Sequence, residues 1–215
     1  PAQPTLAIVV SAYKPDAEFA ARFAAALGYC KCFIVVDNTP GGHRFTGLNG
    51  HMAEVVVLQD GVNKGLGKAL NLGIAAALRA GSSHAVLFDQ DSSPNEDFLT
   101  DMLAMHALAE REQQQPVCIG PLHIDDATSM SATSQDRLHA HDALRPVSCL
   151  ATSGMLFRLD RLPTDSLFTE EFFLDFVDFD WCWRLQQKGW VFRRALGVTM
   201  LHRLGLAQRN FLGLT

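Results

Sequence analysis

Short apolar runs separated by polar, glycine-containing breaks set the rhythm of this chain. Residues 6–10 (LAIVV), 33–36 (FIVV), 54–58 (EVVVL) and 85–88 (AVLF) are almost wholly apolar. Runs this short and even fit strands buried within a sheet. Helical spacing fills the gaps between them. Phe19, Phe23 and Leu27 recur every four residues over 16–27, with Gly28 as a stop. An Ala- and Leu-rich segment runs from the glycine-containing turn at 61–67 to about residue 80, and Gly81 ends it. Ser93-Pro94-Asn95-Glu96 has the form of a capping box with proline at the first helical position, which predicts a helix start there. Residues 117–120 read as a further strand and 147–158 as a return to the core. Residues 178–188 read as an amphipathic helix stopped by Gly189, and 190–200 as a last strand. The stretch 123–145, rich in Ser, Thr, Asp and His, reads as a long mobile loop.

Strands alternating with helices predict an α/β fold, with a Rossmann-like, mostly parallel central sheet flanked by helices. At 215 residues the chain suits one domain with one sizeable core. In such sheets ligands bind outside the carboxyl ends of the strands. Three of the first four strands end in polar groups: Ser11, Asp37, and Asp89 with Asp91. One crevice is expected to gather them.

Composition narrows the classes. Hydrophobic residues make up 48% and charged residues 19%, which excludes a disordered chain. A net charge of −5 without a basic run gives a nucleic acid no electrostatic footprint. No apolar run is long enough to span a bilayer, and no signal peptide is visible. Five scattered cysteines argue for a reducing compartment, and the Cys30-Lys31-Cys32 pair reads as small buried residues entering a strand. A chain that starts at Pro1 and stops at Thr215 reads as part of a longer protein.

Four constellations carry candidate chemistry. Asp89-Gln90-Asp91 places two carboxylates at a strand end. Such a pair is relieved by a divalent cation, and hard cations favour carboxylate oxygens together with substrate phosphates. Asn63-Lys64-Gly65-Leu66-Gly67-Lys68 offers glycines for close phosphate approach and lysines for charge, but lacks the P-loop and dinucleotide spacings. Residues 172–184 embed Asp175, Asp178 and Asp180 among aromatics including Trp181, with Arg184 two turns on from Asp178. A carboxylate in an apolar wall gains a raised pKa and suits general-base work, whereas an aspartate at a helix start also serves as a cap. His202 is the fourth, a lone histidine after an apolar stretch.

Taken in order, these motifs resemble glycosyltransferase family 2, the inverting GT-A enzymes, and most closely their bacterial rhamnosyltransferase branch. The resemblance spans nearly the whole chain. Ser11-Ala12-Tyr13 resembles the first nucleotide-contacting strand end and Asp37 the acid that reads the nucleobase. Asn63, Lys64, Gly65, Lys68, Ala69 and Asn71 fall in the family's Asn-x-Gly signature, and Asp89-Gln90-Asp91 matches its D-x-D motif. The resemblance implies Asp89 and Gln90 on the donor, Asp91 and His202 on a Mg²⁺ or Mn²⁺ ion, and Asp178 as catalytic base. It places Ser153, Gly154, Asp175, Asp180, Trp181 and Arg184 on the acceptor side. The Glu that precedes the base in the family is Val177 here, so the base rests on Asp178 alone, with Asp175 or Asp180 as the fallback. Residues 1–120 would form the donor half and 121–215 the acceptor half, with the family's C-terminal helices missing. A dTDP-rhamnose donor and a saccharide or lipid-linked acceptor follow from the resemblance, as does work at the inner face of a bacterial membrane, with peripheral association through the missing segment. Rival readings are a sugar-nucleotidyltransferase, a non-catalytic nucleotide-sugar-binding protein and a Rossmann oxidoreductase. The first lacks its glycine-rich turn after strand one, and the last its dinucleotide fingerprint.

Overall fold

The structure, a computed structural model, describes residues 4–95, 97–125 and 143–202, with Asp125, Leu201 and His202 as backbone only. Eight strands form one central sheet in the order β3-β2-β1-β4-β7-β5-β8-β6. The first four are β1 (Leu6–Ala12), β2 (Cys32–Asp37), β3 (Glu54–Gln59) and β4 (His84–Asp89). Their pairings are all parallel. Beyond β4 the sheet turns mixed. The short strand β7 (Leu156–Arg158) runs antiparallel to both β4 and β5 (Val117–Asp125). Strand β8 (Val191–His202) is parallel to β5, and β6 (Leu144–Pro146) closes the edge antiparallel to it. The helices are α1 (Phe19–Phe23), α2 (Gly65–Arg79), α3 (Phe98–Glu112) and α4 (Val177–Gln187). No described helix is long and apolar enough to cross a membrane.

Two apolar layers sandwich the sheet, and strand alternation sorts residues between them. Leu6, Ile8, Val10, Phe33, Val35, Val86 and Phe88 face α1 and α3, whose Phe19, Phe23, Phe98 and Met102 complete that layer. Ala7, Val9, Ile34, Val36, Ala85 and Leu87 face α2 and α4, meeting Leu70, Ile74, Trp181 and Leu185. Helix α2 comes close because residue 73 is glycine; a Cβ there would run into Val9 Cγ1.

Three expected boundaries move, and the strand directions are more mixed than the alternation implied. The helix expected over 16–27 is a five-residue α-helix followed by a 3-10 turn at Ala26–Gly28, yet Phe19, Phe23 and Leu27 all reach the core. The helix expected to start at Ser93 starts at Phe98 instead, with Asp97 as N-cap and no side-chain cap bond there; Glu96 lies outside the described residues. Phe98 and Leu99 are the first residues of that segment's helix to enter the apolar layer. The expected loop 123–145 is strand at both ends, β5 reaching Asp125 and β6 starting at Leu144; residues 126–142 lie outside the described residues. The sheet is wholly parallel in its first half and mixed in its second, where β7 and β6 enter reversed while β5 and β8 pair in parallel. All five cysteines are free thiols, and burial pushes Cys30 up to about 12, as suits small core residues.

Candidate active site

Register builds the crevice. Ser11 pairs with Asp89 across β1 and β4, so the two share one sheet face, the face of α2 and α4. Around them Tyr13, Asn38, Asn63, Gly65, Leu66, Gln90, Asp91, Thr152, Phe173 and Leu174 enclose a cavity of about 540 Å³. The motif loop is tied down from two sides. Gln90 Oε1 accepts the Tyr13 N–H at 2.7 Å, and the Gln90 carbonyl accepts Arg22 Nε at 3.1 Å. Arg22 is in turn held by Asp16 at 2.8 Å. Gln90 therefore braces the β1 and β4 ends together, and Arg22, which sequence reasoning missed, carries the brace to α1. The carboxylates of Asp89 and Asp91 both line the cavity, a donor set that fits a hard divalent cation bound with substrate phosphate oxygens.

Asp37 belongs elsewhere. It pairs with Ala12 rather than Ser11, on the face shared with Phe33 and Val35. It is buried, and its oxygens accept the N–H groups of Thr39 (2.9 Å) and His43 (2.6 Å). Its neighbour Asn38 takes the place on the cavity wall. Asn38 accepts from Lys64 N–H at 3.2 Å and donates to the Gly65 carbonyl at 3.0 Å, fixing the start of α2 against the strand end.

The glycine turn does something other than cradle phosphate. Gly65 has φ +79°, and a Cβ there would sit 2.7 Å from the Phe173 carbonyl oxygen. At Gly67 a Cβ would lie 2.6 Å from the Thr169 carbonyl oxygen. Both glycines admit the 169–173 backbone onto the helix start. The N–H of Leu66 donates to that Phe173 carbonyl, and the N–H of Gly65 to Asn63 Oδ1. These helix-start donors are thus engaged within the protein. The lysines also point away: Lys64 pairs with Asp60, and Lys68 with Glu170 at 3.0 Å. Neither lines the cavity.

On the opposite wall, Asn71 clasps the 168–170 loop. It donates to the Phe168 carbonyl and Glu170 Oε1 and accepts the Phe168 N–H. The loop then climbs to Phe176, which has φ +65° in the left-handed region, and α4 begins. Asp178 sits in the first turn of α4, half-buried. Burial raises its carboxyl above the ordinary value, and the charge of Asp89 adds to the rise, outweighing the Phe179 N–H it accepts at 2.9 Å. Asp180 behaves oppositely. Burial would raise it, but hydrogen bonds from Arg184 and Thr169 win and hold it low.

Several expected acceptor-side residues are supports instead. Trp181 is fully buried, stacked on Phe168 at 4.5 Å, and donates Nε1 to the Ser166 carbonyl. Arg184 spans Asp180 and the Leu167 carbonyl. Ser153 is buried, sharing a 2.5 Å hydrogen bond with Ser92, and Gly154 turns at φ +83° where a Cβ would strike Pro121. Thr152, one residue earlier, reaches the cavity. The exposed face belongs to Asp175 and to Phe173, Leu174, Phe176, Phe179 and Trp183, each of these five more than half exposed. The His202 backbone ends β8 opposite Asp125, and its side chain lies outside the described residues.

No protein-family model matches the chain. It is similar to the dTDP-rhamnosyl transferase RfbF of Shigella flexneri, 23% identical over 207 residues that cover 92% of this chain and 68% of that protein. Among solved structures it resembles S. aureus TarS, with a TM-score of 0.60 and 12% identity over 93% of this chain and 37% of TarS. TarS 1-349 in complex with UDP aligns at a TM-score of 0.57 and 14% identity, over 94% of this chain and 61% of that one. The chain thus spans 37% and 61% of these two TarS chains, under two thirds of each. The fold is the GT-A-like α/β fold of these structures, as the motifs implied.

Proposed function

We propose that the chain is the nucleotide-sugar-binding, catalytic part of an inverting glycosyltransferase. One observation carries this reading: Asp178, a carboxylate raised by burial, lies close enough to Asp89 on the crevice wall for that charge to raise it further. The likeness to RfbF over 92% of the chain supports a dTDP-rhamnose donor, and the UDP complex of TarS supports a nucleotide ligand for this fold. The donor occupies the half formed by residues 1–120, against Ser11, Tyr13, Asn38, Asn63 and Asp89. Asp91 would hold a Mg²⁺ or Mn²⁺ ion, with His202 as a further candidate ligand, and that ion would supply positive charge against the diphosphate.

The acceptor, a saccharide or lipid-linked sugar, approaches over the aromatic rim of 172–183. Asp178 takes the proton of its hydroxyl as that oxygen attacks the anomeric carbon. The bond from anomeric carbon to diphosphate oxygen breaks, and the nucleoside diphosphate leaves. A raised pKa suits this step, since a carboxylate destabilised by burial and by Asp89 gains by accepting a proton. We place the reaction at the inner face of a bacterial membrane.

Calorimetry with dTDP, dTDP-rhamnose and UDP, with and without Mn²⁺, tests the donor side. Metal-dependent binding that vanishes in Asp91→Ala is expected; equal affinity in that variant would refute the assignment. Donor binding without transfer or donor hydrolysis across an acceptor panel would convert the enzyme into a binding protein.

A further inference from the structure

At the end of the sheet away from the crevice, His84, His106 and Glu110 converge, each with one ligand atom within 4.8 Å of the others. Among the described residues no other such cluster of three forms. His84 opens β4, and Asp89 closes it five residues later, so the two ends lie roughly 17 Å apart at the rise of an extended strand. His106 and Glu110 are four apart on α3 and share a helix face. We propose that His84, His106 and Glu110 form a transition-metal site, best suited to Zn²⁺, that staples the start of β4 to α3.

In each histidine one ring nitrogen already has a protein partner, which leaves the other for a metal. His106 Nε2 contacts the Val117 carbonyl at 3.2 Å and must donate, leaving Nδ1 with the lone pair; Nδ1 lies 3.8 Å from Glu110 Oε2. His84 Nδ1 lies 2.9 Å from Ser83 Oγ. That hydroxyl also accepts the Thr5 N–H and reaches the Thr5 carbonyl at 3.2 Å; with its proton on that carbonyl, His84 Nδ1 donates to it and Nε2 keeps the lone pair for a metal. A metal-binding histidine is typically oriented in this way, by donating its other N–H to a carbonyl or similar acceptor. Burial is the main cause that pushes both rings down to about 4, so they are neutral and able to ligate at physiological pH.

The donor set discriminates among metals. Two imidazole nitrogens and one carboxylate suit Zn²⁺ and disfavour Mg²⁺, which prefers oxygen. Tetrahedral ligation at about 2.1 Å needs donor atoms about 3.4 Å apart, so the three side chains, now within 4.8 Å of one another, must draw together on binding. Arg158 is the competing cation. Its main partner is Asp160, through Nε at 2.8 Å and a second contact, and it reaches Glu110 Oε1 only at 3.5 Å. Asp160 thereby offsets its charge, and Glu110 Oε2 remains turned to His106.

The test uses the whole chain stripped with chelator and titrated with Zn²⁺, and separately with Co²⁺ as a spectroscopic probe. One Zn²⁺ per chain, a saturable rise in Tm and visible absorption of tetrahedral Co²⁺ are expected. Glu110→Gln and His84→Gln should each weaken Zn²⁺ at least tenfold and abolish the Co²⁺ band, while Asp91→Ala keeps both. Melting the variants in chelator shows whether they fold; a folded variant of either residue that keeps wild-type Zn²⁺ affinity overturns the site. So does loss of Zn²⁺ in Asp91→Ala, which would assign the ion to the crevice.

Discussion

The two walls of the crevice are built on different principles. The β1–β4 wall is set by strand register: Ser11 and Asp89 lie side by side because β1 and β4 pair residue for residue. The facing wall, 168–184, is set by side chains and missing side chains, with Asn71 as a clasp and Gly65 and Gly67 as clearance. Its electrostatics are also local. Asp178 and Asp180 are two residues apart on one helix, yet one carboxyl is raised by burial and Asp89, while the other is held low by Arg184 and Thr169. A sheet end therefore fixes where charge sits, and the loop wall decides what each charge does.

The largest test of that division is Asp178→Asn. It should lower transfer about 10²–10⁴-fold, the usual worth of a general base, with donor affinity kept. Its stability should be equal or higher at pH 7. A raised carboxyl stabilises the fold fully below its ordinary value of 3.8, and that contribution is lost as pH rises through the folded value. Steady-state kinetics and thermal melts read both effects; near-normal turnover would sink the assignment.

Next is clearance. Gly67→Ala, and Gly65→Ala with its added left-handed strain, should cost about 1–3 kcal/mol, as overpacking does. Chemical denaturation measures this, and an unperturbed variant would mean the 169–173 loop gives way easily. Third is the clasp. Asn71→Ala removes a buried donor and acceptor for 168–170, and about 1–3 kcal/mol should go with it. KM for the acceptor should rise more than kcat falls.

The smallest effect is Asp180→Asn. The pair with Arg184 is partly exposed, so solvent screening leaves it about 1 kcal/mol or less. Its sign with pH opposes that of Asp178. A lowered carboxyl stabilises above its ordinary 3.8, and the benefit fades as pH falls through the folded value. Melts from pH 7 down to pH 3 should show wild type and Asp180→Asn converging in acid.

The sequence disclosed the register-built wall well, because buried parallel strands leave uninterrupted apolar runs and their polar ends stand out. Asp89, Gln90, Asp91 and Ser11 were legible for that reason. Asp37 misled because strand ends reveal position but not parity: one step of register puts it on the face opposite Ser11. The loop wall was harder. Gly65 and Gly67 signal close approach, but nothing local tells whether a phosphate or the Thr169–Phe173 backbone approaches. Trp181 and Arg184 stand beside Asp178 in sequence, yet helical rotation turns Trp181 into the core. The 3.6-residue period held that answer for α4. Arg22, the brace on Gln90, left no sequence signal, since its partner is a backbone carbonyl.

Gly73 has a mechanical consequence. With no side chain there, α2 lies directly on Val9, and a helix seated that tightly cannot roll or slide without colliding with the sheet. The β1 side of the crevice and α2 are thereby locked to one another. The 168–173 segment, hydrogen-bonded to α2 through Asn71 and Leu66, inherits that fixed frame.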